Sequence, residues 1–478
     1  MKIDCRFILN HREMELSLPP GRSVLDLLRK DLGMYGTREG CREGECGACT
    51  VILGRVPLAV YRPMASCIMP VGQLNYTHLV TIEGLQGERP NRLQQAFLNQ
   101  GASQCGFCTS GFILALTGYL LEGRSVTLEG AVNALDGNIC RCTGYGSIRR
   151  AVEETVEPLV GKVPSLQSLI ELDLLPPYFT EIPKRLEKLR LKSLADSQEL
   201  SFERIKERGP LIAGGTDLYV QRGEALEKGQ PRFIIPESEA IREEEGMIVI
   251  PASATMEQLR LSPFMNEAFP LWSEKLLLVA SHILRNRATL GGNLVNASPI
   301  GDGAVLLLAL DAQIQLSSEE GTSRRLPLRE FFLDYKKLDL KEGELVDCLL
   351  VKKYESKQLW NFAKVSKRER LDIASCNSAA LFTVEEGCIS SAGIALGGVA
   401  PVPFTAGKTM AWLKGKSLTK ETLLGSFDIL QKEINPIDDV RGSSTYKRRL
   451  ASALLADHYL RCFPDLCSYD DLAKGGVL

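Results

Sequence analysis

Apolar and polar positions alternate weakly from residue 3 to 9 and again from 14 to 18, on either side of a His11-Arg12 turn, which predicts a β-hairpin. Ser23 then precedes Val24, Leu25, Leu27 and Leu28, which share one helical face, so Ser23 is expected to cap a short helix. A loop rich in glycine and cysteine follows, then a short strand over residues 50–53. Beyond residue 76 the period changes: residues 93–98, 111–121, 128–135 and 148–160 repeat as helices do, with cysteines in the loops between. Residues 161–180 contain Pro164, Pro176 and Pro177 and read as a linker. From about residue 195 the pattern is mixed α/β. A last segment opens with Leu359-Trp360-Asn361-Phe362 and closes with a helical pattern over residues 448–462. The expected fold is a multidomain α+β chain: a β-rich unit (1–76), a helical unit (77–160), a linker (161–194), an α/β unit (195–357) and a C-terminal α+β unit (358–466). There is no internal repeat.

Composition narrows the function more than the fold. The 478 residues suggest about three domains. With 44% hydrophobic and 24% charged residues the composition is that of a globular domain protein. A net charge of -2 gives no field that would hold nucleic acid or an anionic membrane. The longest apolar runs are too short to span a bilayer, and the N-terminal residues lack a signal pattern, so a cytoplasmic protein is expected. Eight of 14 cysteines fall between Cys41 and Cys142. In a reducing compartment such clustering points to metal or cluster ligation, not disulfides. The four histidines, His11, His78, His282 and His458, show no ligand spacing, so a His-rich site is not expected.

Cys41, Cys46 and Cys49 have C-x4-C-x2-C spacing, with Cys67 the fourth, the plant-type ferredoxin spacing for a 2Fe-2S cluster. Gly40, Gly44 and Gly47 allow the loop to aim backbone N–H groups at anionic sulfur. A structural zinc site is the alternative, but zinc usually takes C-x2-C pairs on both halves. The second set pairs Cys105 and Cys108 (C-x2-C) with Cys140 and Cys142 (C-x-C). Each pair precedes a helical stretch, so two helix N-termini would stabilise one anionic cluster; spacing alone leaves zinc open here.

Two double-glycine loops stand further along. Leu211-Ile212-Ala213-Gly214-Gly215-Thr216-Asp217-Leu218 is an apolar run that breaks into glycines. The segment from Arg287 to Asp302 contains Thr289, Gly292, Asn293, Asn296 and Ser298 and ends on Asp302. Together they suit a pyrophosphate: glycines admit the backbone to phosphate, hydroxyls donate without added charge, and Asp302 can accept from a ribityl hydroxyl.

Cys41-Arg42-Glu43-Gly44-Glu45-Cys46-Gly47-Ala48-Cys49-Thr50, Gln104-Cys105-Gly106-Phe107-Cys108-Thr109 and Gly137-Asn138-Ile139-Cys140-Arg141-Cys142-Thr143-Gly144-Tyr145 closely resemble the two cluster loops of the xanthine dehydrogenase (molybdenum hydroxylase) family. Ser110 departs from that pattern, where the family often has proline. Both double-glycine loops, the stretch from Lys364 through Asp372 to Ala374, and Gly397-Gly398-Val399-Ala400-Pro401 leading to Lys408 resemble the family's FAD-binding elements. Val279 and Ala280 stand where some relatives place an aromatic on the flavin ring.

The resemblance implies a ferredoxin-like β-grasp 2Fe-2S domain, a helical-bundle 2Fe-2S domain, an α/β FAD-binding domain and a C-terminal flavoprotein domain. It implies that Gln104 hydrogen-bonds a molybdopterin held by a partner chain, and that Lys408 lies near the flavin ring. Electrons would pass from that molybdenum centre to the second cluster, the first, FAD and then NAD+. The expected assembly is a hetero-oligomer with two copies of each chain. An equivalent subunit acting on an aldehyde, an N-heterocycle or carbon monoxide is the nearest alternative. A stand-alone ferredoxin–flavin carrier and a zinc-stabilised scaffold are alternatives of other classes.

Overall fold

A computed structural model describes residues 2–55, 60–196, 209–236, 239–318, 321–354, 358–466 and 468–474. Cys467, expected to be an ordinary thiol, lies outside them. The chain divides into two compact units, one of Met1–Ile235 with Ser281–Ala288, the other of Pro236–Ala280 with Thr289–Leu478.

The first unit begins with a five-stranded sheet in the order Arg12–Leu18, Ile3–Leu9, Thr77–Val80, Thr50–Arg55, Val60–Ala65. The hairpin forms one residue earlier than expected. Leu9 pairs with Arg12, so Asn10 and His11 make the turn, and Asn10 takes the left-handed φ of 56° that asparagine tolerates. Ser23 caps as expected, its Oγ accepting from Asp26 N at 3.1 Å. The helix Val24–Asp26 then widens into a π-turn over Leu27–Asp31. Phe7, Val24, Leu28, Val51, Leu53 and Leu79 close the core of this β-grasp domain.

Four helices follow, Arg92–Asn99, Thr109–Leu120, Leu128–Asn133 and Gly146–Val156. Asn91 and Gln94 form a reciprocal capping box on the first, and Thr127 caps the third. Phe97, Phe112, Leu116, Tyr119, Ile148 and Val152 fill the core between them. The stretch read as a linker is not a tether. It forms the helices Leu166–Glu171 and Ile182–Asp196, and Leu169, Leu174, Leu175 and Phe179 are buried in the same core. Its prolines stand at helix starts, Pro164 before the Ser165 cap and Pro176 and Pro177 at the head of a short turn, while its apolar positions carry the packing that composition alone conceals. Further on, Leu211–Ile212 pairs in parallel with Arg232–Phe233, and the helix Leu218–Lys228 connects them.

The second unit holds an antiparallel sheet ordered Ser323–Pro327, Gln313–Ser318, Glu344–Lys352, Met247–Pro251, Arg242–Glu244. It also holds the helix Asp302–Ala309, whose residues from Gly303 on are all buried. Its C-terminal part is an antiparallel sheet of Leu359–Val365, Cys376–Glu385, Cys388–Gly397 and Phe404–Thr405; the helix Ser444–Cys462 packs on it, and Lys420–Glu433 packs against that helix. The helix Ser444–Cys462 starts four residues before the apolar pattern does, because Ser443 caps it. Among the described residues, no helix is long and apolar enough to cross a membrane.

Candidate cofactor sites

The first cysteine loop is shaped around its sulfurs. Glu43 N and Glu45 N each lie 3.3 Å from Cys41 Sγ, and Cys41 N lies 3.4 Å from Cys46 Sγ. The Cys46 thiol and these backbone N–H groups pull the Cys41 thiol down to about 5 against the cost of its burial. Only glycine fits at two of the positions the sequence marked. A Cβ on Gly40 would sit 2.7 Å from Cys46 Sγ, and Gly44, at φ +78°, would meet Ile68 and Leu284 at 2.8 Å. Behind the loop Arg42 is gripped by Asp26 (2.8 Å) and Glu39 (2.5 Å). Burial opposes ionisation of Asp26, but Arg42 and Lys30 outweigh it and hold the carboxyl at about 2.

Cys49 and Cys67 are buried, 2% and 5% exposed, and their thiols face each other as those of Cys41 and Cys46 do. The second set pairs in the same way: Cys142 Sγ lies 3.6 Å from Cys105 Sγ, and Cys108 hydrogen-bonds Cys140. Sulfurs meeting two by two fit a two-iron cluster, which takes two thiolates per iron, better than four thiolates around one ion. Cys108 is the N-cap of Thr109–Leu120, and Tyr145, at φ 67°, starts Gly146–Val156. The expected helix N-termini are therefore in place beside the second set. Tyr145 Oη accepts from Cys140 N at 3.1 Å, and Thr143 Oγ1 donates to Cys140 Sγ at 3.2 Å. Gln104, Cys105, Phe107, Cys142 and Tyr145 are exposed, so this set opens on the surface, while in the first set Cys41 and Cys46 are half-buried and Cys49 and Cys67 buried.

The segment Ser281–Ala288 binds the first unit together, a role the sequence did not suggest. His282 Nε2 stands 2.7 Å from Glu122, both nearly inaccessible. Arg285 reaches Asp136 at 3.2 Å, Asn286 donates to Pro63 O at 3.1 Å, and Arg287 donates to Gly214 O. His282 thus packs in the interior against Glu122.

The first double glycine follows the strand Leu211–Ile212. Gly214 lies against the Arg287 carbonyl, where a Cβ would come within 2.2 Å, and Gly215 takes a φ of +76°. Asp217 is the N-cap of Leu218–Lys228. Backbone N–H groups at the head of a helix, behind paired glycines, suit a phosphate.

In the second unit Thr289 caps Leu290–Val295, its Oγ1 accepting from Gly292 N at 3.2 Å. Gly291 N donates to Ala252 O at 2.9 Å, so the loop is pinned to the backbone of residue 252. Asn293 Oδ1 accepts from Ala304 N at 3.2 Å, and Ser298 Oγ from Ile300 N at 3.4 Å. Asp302 accepts from Lys364 Nζ at 2.7 Å and Asn377 Nδ2 at 2.5 Å, and Lys364 Nζ also donates to Leu278 O. Gly398 N donates to Pro299 O at 3.1 Å. Residues 298–302, 364, 377 and 397–398 therefore form one cradle. Asn296 receives Lys336, Ala280 O accepts from Leu371 N, and Asp372 is held by Arg368, which the sequence did not foresee as its partner. The Lys408 side chain is exposed in the first turn of Gly407–Leu413.

Comparison with known proteins agrees with this layout. Residues 7–71 match the family described as "2Fe-2S iron-sulfur cluster binding domain" and residues 81–153 a second 2Fe-2S binding domain. Residues 184–351 match "FAD binding domain in molybdopterin dehydrogenase" and 361–462 "CO dehydrogenase flavoprotein C-terminal domain". The nicotinate dehydrogenase small FeS subunit of Eubacterium barkeri is 42% identical over 33% of this chain and 96% of its own length. Xanthine dehydrogenase 1 of Arabidopsis thaliana is 28% identical over 90% of this chain, which spans 38% of that protein. A solved carbon monoxide dehydrogenase chain from Hydrogenophaga pseudoflava superposes with a TM-score of 0.50 and 28% identity, over 55% of this chain and 93% of its own.

Proposed function

Since the chain belongs to the molybdenum hydroxylase family and carries that family's two 2Fe-2S domains and FAD-binding domain, we propose that it serves a xanthine dehydrogenase as its electron-transfer subunit. When bound, the clusters and the flavin supply the one- and two-electron redox chemistry that links a molybdenum centre on a partner chain to NAD+. The chain's residues hold, insulate and connect these groups. Cys105, Cys108, Cys140 and Cys142 ligate the outer cluster, and Gln104 beside them meets the partner's pterin. Cys41, Cys46, Cys49 and Cys67 ligate the inner one. Residues 211–218, Ala280, Thr289, Gly292, Asn293, Asn296, Ser298, Asp302, Asp372 and Lys408 would hold FAD. The sequence has no G-x-G-x-x-G loop, so NAD+ docks on the flavin and not on a Rossmann unit of its own.

One observation carries this reading: one cysteine quartet exposes two of its members, Cys105 and Cys142, beside Gln104, while the other exposes none. A relay needs such an order, with one end available to a partner. The 42% identity to a nicotinate dehydrogenase FeS subunit favours a second reading, the same role with an N-heterocycle as substrate. The test is to purify the native complex, bleach it with NADH, and follow NAD+ reduction with xanthine or hypoxanthine and then with nicotinate. Purine-dependent NADH formation supports the first reading, and turnover of nicotinate alone supports the second. Failure of NADH to bleach the chromophores would show that the acceptor is not NAD+. Purification without a molybdenum chain would favour the stand-alone carrier.

A further inference from the structure

Arg287 is completely buried in the first unit, and its acceptors are all neutral. Nε and Nη2 donate to Gly214 O at 3.0 and 2.5 Å, Nη2 donates to Gln73 Oε1 at 3.0 Å, and Nη1 stands 4.0 Å from Met64 Sδ. Burial first, and the nearby Arg55 second, push this guanidinium down to about 9. A guanidinium keeps its proton in proteins, so among the described residues this cation has no carboxylate against it. Such a charge is tolerated in a protein interior when an anion compensates it.

The surroundings identify the anion. Met64, against Nη1, is three residues before Cys67. Cys49, Cys67, Ile68 and Ile212 share one buried apolar cluster, and a Cβ on Gly215 would lie 3.2 Å from Ile68 O. Gln73 extends the connection, its Nε2 donating to Ala213 O at 2.8 Å and Ile234 O at 3.0 Å. Arg287 therefore lies between the ligand segment of the first cysteine set and the 213–215 loop.

We propose that Arg287 is the buried counter-charge of the first cluster and the clamp that fixes the Gly214 loop beside it. Its positive charge favours the reduced, more negative cluster and raises its potential, so electrons collect next to the flavin loop. This rests on the ligand and flavin-loop assignments above.

The test is an EPR-monitored redox titration of the holoprotein, with FAD content measured in parallel. Arg287→Gln is expected to lower the first cluster's potential by at least a tenfold change in its one-electron equilibrium, about 59 mV, with the second cluster unmoved. Arg287→Lys is expected to keep the potential but lose FAD, because an ammonium cannot fork onto Gly214 O and Gln73 together. Met64→Glu leaves Arg287 in place, sets a carboxylate against Nη1, and is expected to lower the same potential. It decides alone if Arg287→Gln does not fold. An unshifted first-cluster potential in Met64→Glu, or an equal shift of both clusters in Arg287→Gln, overturns the proposal. Cys67→Ala in the parent separates the premise: a first-cluster signal that survives it overturns the ligand assignment instead.

Discussion

The backbone N–H of Ile139 donates to the carbonyl oxygen of Cys46 at 3.0 Å. One hydrogen bond thus joins the residue before Cys140 to a ligand of the other cysteine set. Asn138 Nδ2 adds a second, to Gly47 O at 3.1 Å. The approach requires glycines: a Cβ on Gly111 would lie 2.2 Å from Gly47 O, and one on Gly47, 2.3 Å from Asn138 Nδ2. Gly111→Ala should therefore force the two loops apart and cost about 1–3 kcal/mol as overpacking does. Denaturant unfolding of the holoprotein checks this, with magnetic coupling between the reduced clusters as the structural readout. An unchanged midpoint and coupling would show that the loops do not press on each other there.

The pairing of sulfurs gives a prediction about iron. Cys49→Ala should abolish one of the two cluster EPR signals, and Cys108→Ala the other, each with loss of about half the iron and sulfide, since each set ligates its own two-iron cluster. A variant that lost both signals would mean that the sets do not load independently.

How much of this was legible depended on the range of the interaction. The cysteine spacings, the Ser23 cap and the helical runs are local, and residues 23, 41–49 and 105–108 carry them in full. The strands Val60–Ala65 and Thr77–Val80 were not readable, because neither alternates clearly and the second is fixed by pairing with the distant residues 8–9 and 52–55. The 161–180 stretch looked like a linker because its prolines are conspicuous, while the burial of Leu169 and Phe179 depends on the core they meet. Arg285, Asn286 and Arg287 were passed over for the glycines that follow them. Three polar residues in a row read as surface, and only the fold shows that each has a buried acceptor from a different part of the chain.

Lys364 and Asp302 form a mostly buried pair, 2% and 14% exposed at their side chains. Lys364→Met strands the carboxylate. Breaking such a pair from one side costs on the order of 3–5 kcal/mol, and FAD content should fall with it. Adding Asp302→Asn removes the stranded charge, so stability should recover in part. FAD content should not recover, because the proposed acceptor for the ribityl chain has lost its charge. Thermal unfolding and the flavin absorbance per chain measure the two effects. Recovery of both would make Asp302 a structural residue only.

Two buried histidines contribute to the acid sensitivity of the fold. His78 is buried between Tyr61 Oη (2.9 Å) and Asn10 O (2.8 Å), and burial pushes it down to about 3. His458, between Asn361 and Ser378, is pushed down by burial to about 4. In both cases the unfolded chain, with an ordinary value near 6.5, binds the proton that the folded chain refuses. Between the folded and unfolded values the unfolded state holds more protons, so stability rises with pH there and is lost as pH falls below about 6.5. The loss continues down to about 4 for His458 and about 3 for His78, and at ~1.36 kcal/mol per pH unit each contributes on the order of a few kcal/mol. Carboxylates and the clusters are also acid-sensitive, so the measurement is a difference. Denaturant midpoints at pH 7.5, 6 and 5 are compared for the parent, His78→Gln and His458→Gln. Each variant should start less stable at pH 7.5 and lose less between pH 6 and 5 than the parent does. Parallel pH profiles would mean that neither histidine stays neutral on folding.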